Sequence, residues 1–294
     1  MPPSPTAPKL IAIDIDGTLL PSRGTGISER TRQALLEAEA SGIGIVIATG
    51  RRQAYTTPLI APLGLRPETA LITSNGTVTR TLDGTRIDRH LLPVETARGL
   101  CPLLREFGET TVFTFDRDGA GELVIESLQQ LHARISLWVE ANRSSLIEIR
   151  PIERAFDSGE APVQGMLCGT PQEMREAEVR LAGSEFADFI EIHRTEYPRR
   201  DLTILDILPP GCSKGISLRT LAASRGIAPQ EIMAIGDNWN DLEMLEFAGR
   251  PVVMANGAPD LVQLAQSRGW QIAPSNDADG VAQTIESVWT GVGV

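Results

Sequence analysis

Five short apolar segments of this 294-residue chain are rich in Val and Ile, and each ends abruptly at glycine and small polar residues. Segments of this kind have no polar face, so they predict strands buried on both sides, as in a parallel sheet covered by helices. They are LIAIDIDGT at 10–18, GIGIVIATGR at 42–51, TALITSNGT at 69–77, EIMAIGDNWND at 231–241 and RPVVMANGA at 250–258. The pattern therefore predicts an α/β core.

Helical patterns lie between these strands. One predicted helix is SERTRQALLEAEASG, in which Ser28 can cap the first turn and Gly42 can end the last. Another begins near Ser213, in CSKGISLRTLAASRGI, and stops at Gly226. The first nine residues, MPPSPTAPK, predict a proline-rich mobile tail.

From about Leu82 to Leu208 the pattern changes to that of an α+β module. A hairpin about Asp118 and Gly119 opens it, and a helix, a strand, a second helix and two strands follow. These segments are TVFTFDRDGAGELVIES, LHARISLWVEAN, VQGMLCG, PQEMREAEVRLAG, DFIEIH and LTILDIL. We therefore predict a discontinuous core domain, 1–82 and 209–294, with an inserted α/β domain at 83–208.

Composition narrows the class of protein. The formal net charge of −11 argues against nucleic acid as a partner, because phosphate backbones are bound chiefly by Lys and Arg. No apolar run approaches the roughly 20 residues that span a bilayer, and the first residues lack a secretory signal, so we expect no membrane partner. The three cysteines are far apart and odd in number, which favours a reducing cytoplasm over a disulfide framework.

Asp14 and Asp16 stand two residues apart at the end of the first apolar segment. Residues two apart on a strand point to the same face, with Cα atoms roughly 6.5 Å apart, so both carboxylates are expected to project together. Two like charges this close raise each other's pKa unless a cation lies between them, and Mg²⁺ binds carboxylates together with substrate phosphate oxygens. The pair predicts a magnesium site, with a helix cap or turn as the competing interpretation.

A second acidic loop, GDNWND at 236–241, ends another strand of the predicted sheet. Ligands of open parallel sheets bind outside the carboxyl ends of the strands, so Asp237, Asn240 and Asp241 are expected beside Asp14. The two loops could then share one ion. Taken alone, the second loop is typical of a turn.

Three further residues, in two segments of the chain, are candidates for binding an anion at this edge. Lys214 lies at a helix start, where the dipole disfavours a cation unless an anion binds there as well. Thr49 and Gly50 offer a hydroxyl and backbone N–H groups at the end of another strand. A solvated surface lysine and an ordinary strand-to-helix turn are the alternatives.

In chain order these segments resemble the four motifs of the haloacid dehalogenase superfamily of phosphohydrolases, namely DIDGT at 14–18, TG at 49–50, Lys214 and GDNWND at 236–241. Further segments resemble its Cof-type subfamily: ITSNGT at 72–77, SKGISL at 213–218, VVMANGAPD at 252–260 and SNDADGVA at 275–282. The resemblance covers both halves of the predicted core. It implies a Rossmann-like parallel sheet with a large inserted α+β cap domain, which would close over the sheet edge.

The resemblance also implies roles for the candidate residues. Asp14 would be the nucleophile that forms an aspartyl-phosphate, and Asp16 would act first as general acid and then as general base. Mg²⁺ would be held by Asp14, by the backbone carbonyl of Asp16 and by Asp237, with support from Asp241. Asn75 would either reach the substrate or form an Asn-Gly turn. The residues expected to hold the phosphoryl oxygens are Thr49, Gly50, Lys214 and Asn240.

These expectations describe a Mg²⁺-dependent phosphatase that hydrolyses the phosphomonoester of a small metabolite, such as a sugar phosphate. The alternatives are a specialised phosphatase of the mannosylphosphoglycerate or sucrose-phosphate type, a phosphotransferase or phosphomutase with the same intermediate, and a phosphometabolite-binding sensor without activity. A glycoside hydrolase would leave Lys214 and the GDNWND loop unexplained. The sequence leaves the physiological substrate and the oligomeric state open.

Overall fold

The structure, a computed structural model, describes residues 7–22, 26–197 and 200–290. The predicted tail therefore lies outside the described residues over 1–6. Contacts divide the chain into two units, of which the first combines Met1–Asp88 with Ser213–Val294 and the second is Arg89–Cys212. The domain boundaries predicted from the sequence lie a few residues earlier, at 82/83 and 208/209.

The described residues form fourteen strands and nine α-helices, numbered here in chain order. The strands are β1 (Leu10–Ile13), β2 (Gly44–Ala48), β3 (Ala70–Thr73), β4 (Val78–Thr81), β5 (Arg86–Arg89), β6 (Val112–Thr114), β7 (Leu123–Ile125), β8 (Leu146–Glu148), β9 (Gln164–Gly169), β10 (Glu191–Tyr197), β11 (Leu202–Leu208), β12 (Ile232–Gly236), β13 (Arg250–Met254) and β14 (Gln271–Ala273). The helices are α1 (Glu29–Ala40), α2 (Gln53–Ile60), α3 (Val94–Arg105), α4 (Leu128–Ala141), α5 (Pro171–Ala182), α6 (Lys214–Ser224), α7 (Leu242–Phe247), α8 (Pro259–Ser267) and α9 (Gly280–Thr290).

The first unit contains an eight-stranded sheet in the order β14-β13-β12-β1-β2-β3-β4-β5. The strands from β14 to β3 run parallel, and β4 is antiparallel to β3. Alternate residues of β1 enter different cores: Ile11 and Ile13 pack on one face, Leu10 and Ala12 on the other. The predicted α/β fold with a parallel sheet buried on both faces is thus confirmed.

The two predicted core helices begin where their capping residues indicate. The Ser28 hydroxyl accepts a hydrogen bond from the Thr31 N–H at 3.1 Å and starts α1. The Ser213 hydroxyl accepts one from the Ile216 N–H at 3.0 Å and starts α6. Because side-chain caps satisfy N–H groups that a helix leaves open, they fix the first residue of each helix.

The second unit has a sheet of its own, in the order β10-β11-β9-β6-β7-β8. The predicted hairpin is present as the antiparallel pair β6 and β7. Phe113 and Phe156 meet edge to face at 4.9 Å within its core, a geometry that aromatic rings favour. This unit therefore has the α+β character predicted for the insert.

The three cysteines all lie among the described residues of the second unit, where they are buried and form no disulfide. Across the described ranges, each helix is too short or too polar to cross a bilayer.

Candidate active site

The carboxyl ends of four adjacent strands bring distant parts of the chain together. In the sheet order β12-β1-β2-β3, these ends are followed by Asp237, Asp14, Thr49 and the turn that contains Asn75. The Asp14 N–H donates to the Ile235 carbonyl at 3.0 Å, so the ladder between β1 and β12 continues to the first residue of the site. The parallel topology thus aligns residues that are more than 200 positions apart.

Three buried carboxylates and one buried lysine form the centre of the site. Carboxylate oxygens of Asp14, Asp237 and Asp241 lie within 4.8 Å of one another. The Lys214 ammonium donates to Asp14 Oδ1 at 2.7 Å and to Asp241 Oδ1 at 2.6 Å, and its side chain is fully buried. The alternative of a solvated surface lysine is therefore wrong, because Lys214 lies inside the acidic cluster.

The charges of this cluster are only partly compensated. Burial raises the pKa of Asp14 to about 7, and repulsion from Asp241 adds to the effect while Lys214 opposes it. Burial, together with the charges of Asp14 and Asp241, also holds the pKa of Asp237 well above its usual range. Burial alone would lower the pKa of Lys214, but its two carboxylate partners outweigh that effect and raise it.

This donor set fits a hard divalent cation. Three carboxylates share one ammonium, which leaves net negative charge in a buried region where unpaired charge is costly. Carboxylate and carbonyl oxygens are the ligands that Mg²⁺ prefers. The cluster could therefore hold a metal ion.

Asp241 fixes the shape of its own loop. Its Oδ2 atom accepts hydrogen bonds from the N–H groups of Asp237 at 2.9 Å and Asn238 at 3.0 Å, while Oδ1 binds Lys214. A Cβ on Gly236 would lie 2.7 Å from the Asp241 side chain, so only glycine allows this loop to close so tightly. Both Asp241 oxygens are thus engaged within the protein.

Asp237 is positioned from the loop that follows β1. The Thr18 hydroxyl donates to Asp237 Oδ1 at 3.0 Å. Gly17 has a φ of +84°, and a Cβ there would lie 2.1 Å from Asp237 Oδ2. A residue with a side chain would meet both the left-handed backbone and this carboxylate, which explains the glycine in DIDGT.

Strand spacing is the basis for predicting that the Asp16 side chain projects beside that of Asp14, and the Asp16 charge does help to raise the pKa of Asp14. Strand β1 ends at Ile13, so the strand geometry does not extend to Asp16, which lies in the following turn. Its carboxylate is held by Arg51, with Nε at 2.6 Å and Nη2 at 2.5 Å, and the Arg51 guanidinium lies 4.7 Å from the centre of the Tyr55 ring. The Asp16 carboxylate therefore faces a cation supplied by the protein.

Thr49, Gly50, Asn75 and Asn240 form a second group. The Thr49 hydroxyl accepts from the Arg51 N–H at 3.1 Å, which leaves its own hydrogen to donate. Asn75 is fully buried in a turn with φ of +52°, and its Oδ1 accepts from Asn240 Nδ2 at 3.0 Å. A Cβ on Gly50 would lie 3.1 Å from the Asn75 amide. The Asn75 side chain therefore packs between the turn at Gly50 and the loop that contains Asn240. Of the two interpretations of Asn75, the turn is present, and the Asn75 amide binds that of Asn240.

Three further residues, Thr18, Arg51 and Asn256, have contacts at the site but no role predicted from the sequence. The first two stand inside segments already singled out, DIDGT and IATGR, but their partners depend on the path of two turns. Asn256 donates to the Gly17 carbonyl at 2.8 Å. The sequence could have pointed to Asn256 only through its position in the loop that follows a predicted central strand.

Comparison with known proteins gives one consistent family. The profile of the haloacid dehalogenase-like hydrolases matches residues 11–285. A haloacid dehalogenase-like hydrolase of Bacteroides thetaiotaomicron has a similar structure, with a TM-score of 0.76 and 27% identity over 95% of this chain and 99% of that one.

Curated relatives of similar length carry different substrate names. The 5-amino-6-(5-phospho-D-ribitylamino)uracil phosphatase of Bacillus subtilis is 30% identical, over 96% of this chain and 99% of that protein. The HMP-PP phosphatase of an Enterobacter species is 28% identical, over 86% of each chain. Overall similarity at this level is thus shared by enzymes with different substrates.

Proposed function

Because the chain belongs to the haloacid dehalogenase-like hydrolases, we propose that it is a Mg²⁺-dependent phosphatase that hydrolyses a phosphomonoester of a small metabolite through an aspartyl-phosphate on Asp14. The observation that carries the proposal is the buried cluster of Asp14, Asp237, Asp241 and Lys214 at the carboxyl ends of β1 and β12. A structural ion pair would need one carboxylate for one lysine. This cluster has three.

Asp14 is the proposed nucleophile. Lys214 binds its Oδ1 atom at 2.7 Å, which orients the carboxylate so that Oδ2 can attack phosphorus. The new bond joins Asp14 Oδ2 to phosphorus as the ester P–O bond breaks, and Asp16 donates its proton to the leaving oxygen. Asp16 then takes a proton from water, the water oxygen attacks phosphorus, and phosphate leaves as the Asp14 carboxylate is restored.

Mg²⁺ would be held by the carboxylates of Asp14 and Asp237 and by the backbone carbonyl of Asp16. When bound, the ion supplies the positive charge that screens the phosphate from the attacking carboxylate. Asp241, whose two oxygens bind Lys214 and backbone N–H groups, holds Asp237 in place. It therefore supports the site without needing to contact the ion.

The phosphoryl oxygens would be bound by donors that converge on this edge. The Thr49 hydroxyl keeps a hydrogen to donate, and the Gly50 N–H follows it in the same turn. Asn240 gives one amide hydrogen to Asn75 and has a second for the substrate. Together with Lys214, these groups would stabilise the charge that spreads over the oxygens in the transition state.

Sugar phosphates and related small metabolites are the proposed substrate class. The names of the two relatives support small phosphorylated substrates, and their differences keep the leaving group open. We propose that the inserted unit at 89–212 is the cap domain in which specificity resides. A cytoplasmic location stays a prediction from the sequence.

The test is hydrolysis of p-nitrophenyl phosphate by the purified full chain. Asp14→Asn should lower the turnover rate on the order of 10⁴-fold or more, as the loss of a catalytic nucleophile does in other enzymes. EDTA should stop the reaction and added Mg²⁺ should restore it. Asp83→Asn, in an exposed turn after β4, is a matched control that should keep full activity.

Retained activity in Asp14→Asn would overturn the assignment of the nucleophile. If the wild-type chain hydrolyses none of a panel of phosphate esters with Mg²⁺, the phosphatase proposal fails and a phosphometabolite sensor becomes the better interpretation.

A further inference from the structure

Two loops have no role in the mechanism above, although both belong to segments that the sequence singles out. They follow β13 and β14 and contain residues 255–258 and 274–279. We propose that these loops clamp the turn after Asp16 to the loop of Asp237, and that the clamp sets the affinity of the site for its metal ion. This inference rests on the proposed function in one respect, that the metal lies between those two loops.

The central element of the clamp is the Asn256 side-chain amide. Its Nδ2 atom donates to the Gly17 carbonyl at 2.8 Å, and its Oδ1 atom accepts from the Asn276 N–H at 2.8 Å. A backbone carbonyl can only accept and a backbone N–H can only donate, so the two partners determine which way the amide points. Asn256 therefore joins three loops through one rigid group.

A second pair of contacts holds the far end of the same turn. Asn276 Nδ2 donates to the Leu20 carbonyl at 2.7 Å, and Asp277 Oδ1 accepts from the Ser22 N–H at 2.7 Å. The turn is thus fixed near its beginning by Asn256 and near its end by Asn276 and Asp277. Asn276 is buried, so its hydrogen bonds are shielded from water.

The loop after β13 also binds the second proposed metal-binding segment. The Ala258 N–H donates to the Asp237 carbonyl at 2.8 Å, two residues after Asn256 contacts Gly17. Gly17 lies so close to Asp237 that an added Cβ would be 2.1 Å from Oδ2. A small shift of this loop would therefore change the spacing between the Asp16 carbonyl and the Asp237 carboxylate.

Asn256 is a positioning residue in this view, because it acts on the metal ligands through Gly17. It is only half-buried, so water can replace its hydrogen bond to the Gly17 carbonyl when the side chain is changed. The fold should then survive while the turn loses its fixed position. Changes to groups that orient metal ligands typically lower metal affinity or activity about 10–100-fold.

The experiment compares two substitutions in the full chain with a matched control. Asn256→Asp keeps the size and the acceptor but loses the donor to Gly17, and Asn256→Ala removes both without adding charge. Gln172→Glu is the control, since Gln172 is an exposed residue of α5 that contacts neither clamp loop. Its Nε2 atom donates to Glu176 Oε1 at 3.1 Å, so the change also removes an amide donor and adds the same negative charge.

Metal-free protein is titrated with Mg²⁺ by calorimetry, and its thermal unfolding is followed in EDTA. Both Asn256 variants should bind Mg²⁺ about tenfold or more weakly than wild type, while Gln172→Glu should bind it as wild type does. Unfolding temperatures in EDTA should be nearly unchanged. Higher Mg²⁺ concentrations should restore turnover in both Asn256 variants, with kcat close to the wild-type value.

The outcomes separate this inference from the proposed function. Equal Mg²⁺ affinity in wild type and both variants overturns the clamp and leaves the phosphatase proposal intact. Unchanged binding in Asn256→Ala also overturns it, because that variant removes the hydrogen bond to the Gly17 carbonyl without adding charge. If the wild-type chain itself binds no Mg²⁺, the metal-dependent mechanism fails together with the clamp.

Discussion

At the scale of single residues, Asp14 is a buried carboxylate whose ionisation destabilises the fold. Its pKa is about 7 in the folded, metal-free protein against an ordinary value of 3.8, chiefly because it is buried. As pH rises from about 4 to about 7, the unfolded chain gives up this proton while the folded chain retains it. This group therefore makes the free energy of unfolding fall, by up to about 1.4 kcal/mol for each pH unit.

Asp14→Asn removes this titration, so the variant should gain stability relative to wild type as pH rises. In EDTA it should be the more stable protein at pH 8 by a few kcal/mol, and the difference should shrink towards pH 4. Urea unfolding of both proteins at several pH values measures this. A stability difference that does not vary with pH would show that Asp14 is not the group responsible.

Arg51 offers a second prediction, because it holds the carboxylate of Asp16 through two hydrogen bonds. The proton that Asp16 is proposed to donate matters most when the leaving oxygen is strongly basic. Arg51→Ala should therefore lower turnover of an alkyl phosphate about 100-fold, and that of p-nitrophenyl phosphate much less, since a nitrophenolate leaves without a proton. Arg51→Lys keeps the charge but not the two paired hydrogen bonds, so its turnover of the alkyl phosphate should lie between those of Arg51→Ala and wild type.

The measured quantity is the ratio of kcat for the two esters, with Asp16→Asn as the reference for complete loss of the acid. An equal decrease for both esters in Arg51→Ala would mean that Arg51 does not act through Asp16.

At the scale of secondary structure elements, the sequence predicted the strands that are buried on both faces. Strands β1, β2, β3, β12 and β13 are apolar on both faces, and that pattern has few interpretations other than a central parallel strand. Strand β5, with the sequence RIDR, is mostly exposed at the sheet edge. It forms a strand because β4 offers it hydrogen bonds. The pattern of hydrophobic residues does not indicate this pairing.

The same reasoning separates the site residues that were predicted from those that were not. Asp14, Thr49 and Asp237 directly follow strands, so their position at one sheet edge is a consequence of parallel topology. Arg51, Asn256 and Asn276 act through turns, where one changed dihedral angle redirects a side chain. Spacing rules apply only within a strand, so the sequence did not indicate that Arg51 binds Asp16, which lies beyond the end of β1.

At the scale of the whole molecule, the chain forms one unit from two distant segments and a second unit from the residues between them. The second unit has its own six-stranded sheet and its own apolar cores. A fragment of residues 89–212 should therefore fold alone and unfold cooperatively in urea. Residues 1–88 alone should not fold, since β1 would lose its partner β12.

Circular dichroism during urea titration measures both fragments. A gradual, non-cooperative transition for 89–212 would contradict its independence, and a cooperative one for 1–88 would show that β12 is dispensable.

The imbalance between one buried ammonium and three carboxylates also bears on the order in which ligands arrive. A phosphate ester is itself an anion, and the metal-free cluster of Asp14, Asp237, Asp241 and Lys214 repels it. A divalent cation would offset the excess of carboxylates over the single ammonium and so remove this repulsion. We therefore expect ordered binding, with the cation before the ester.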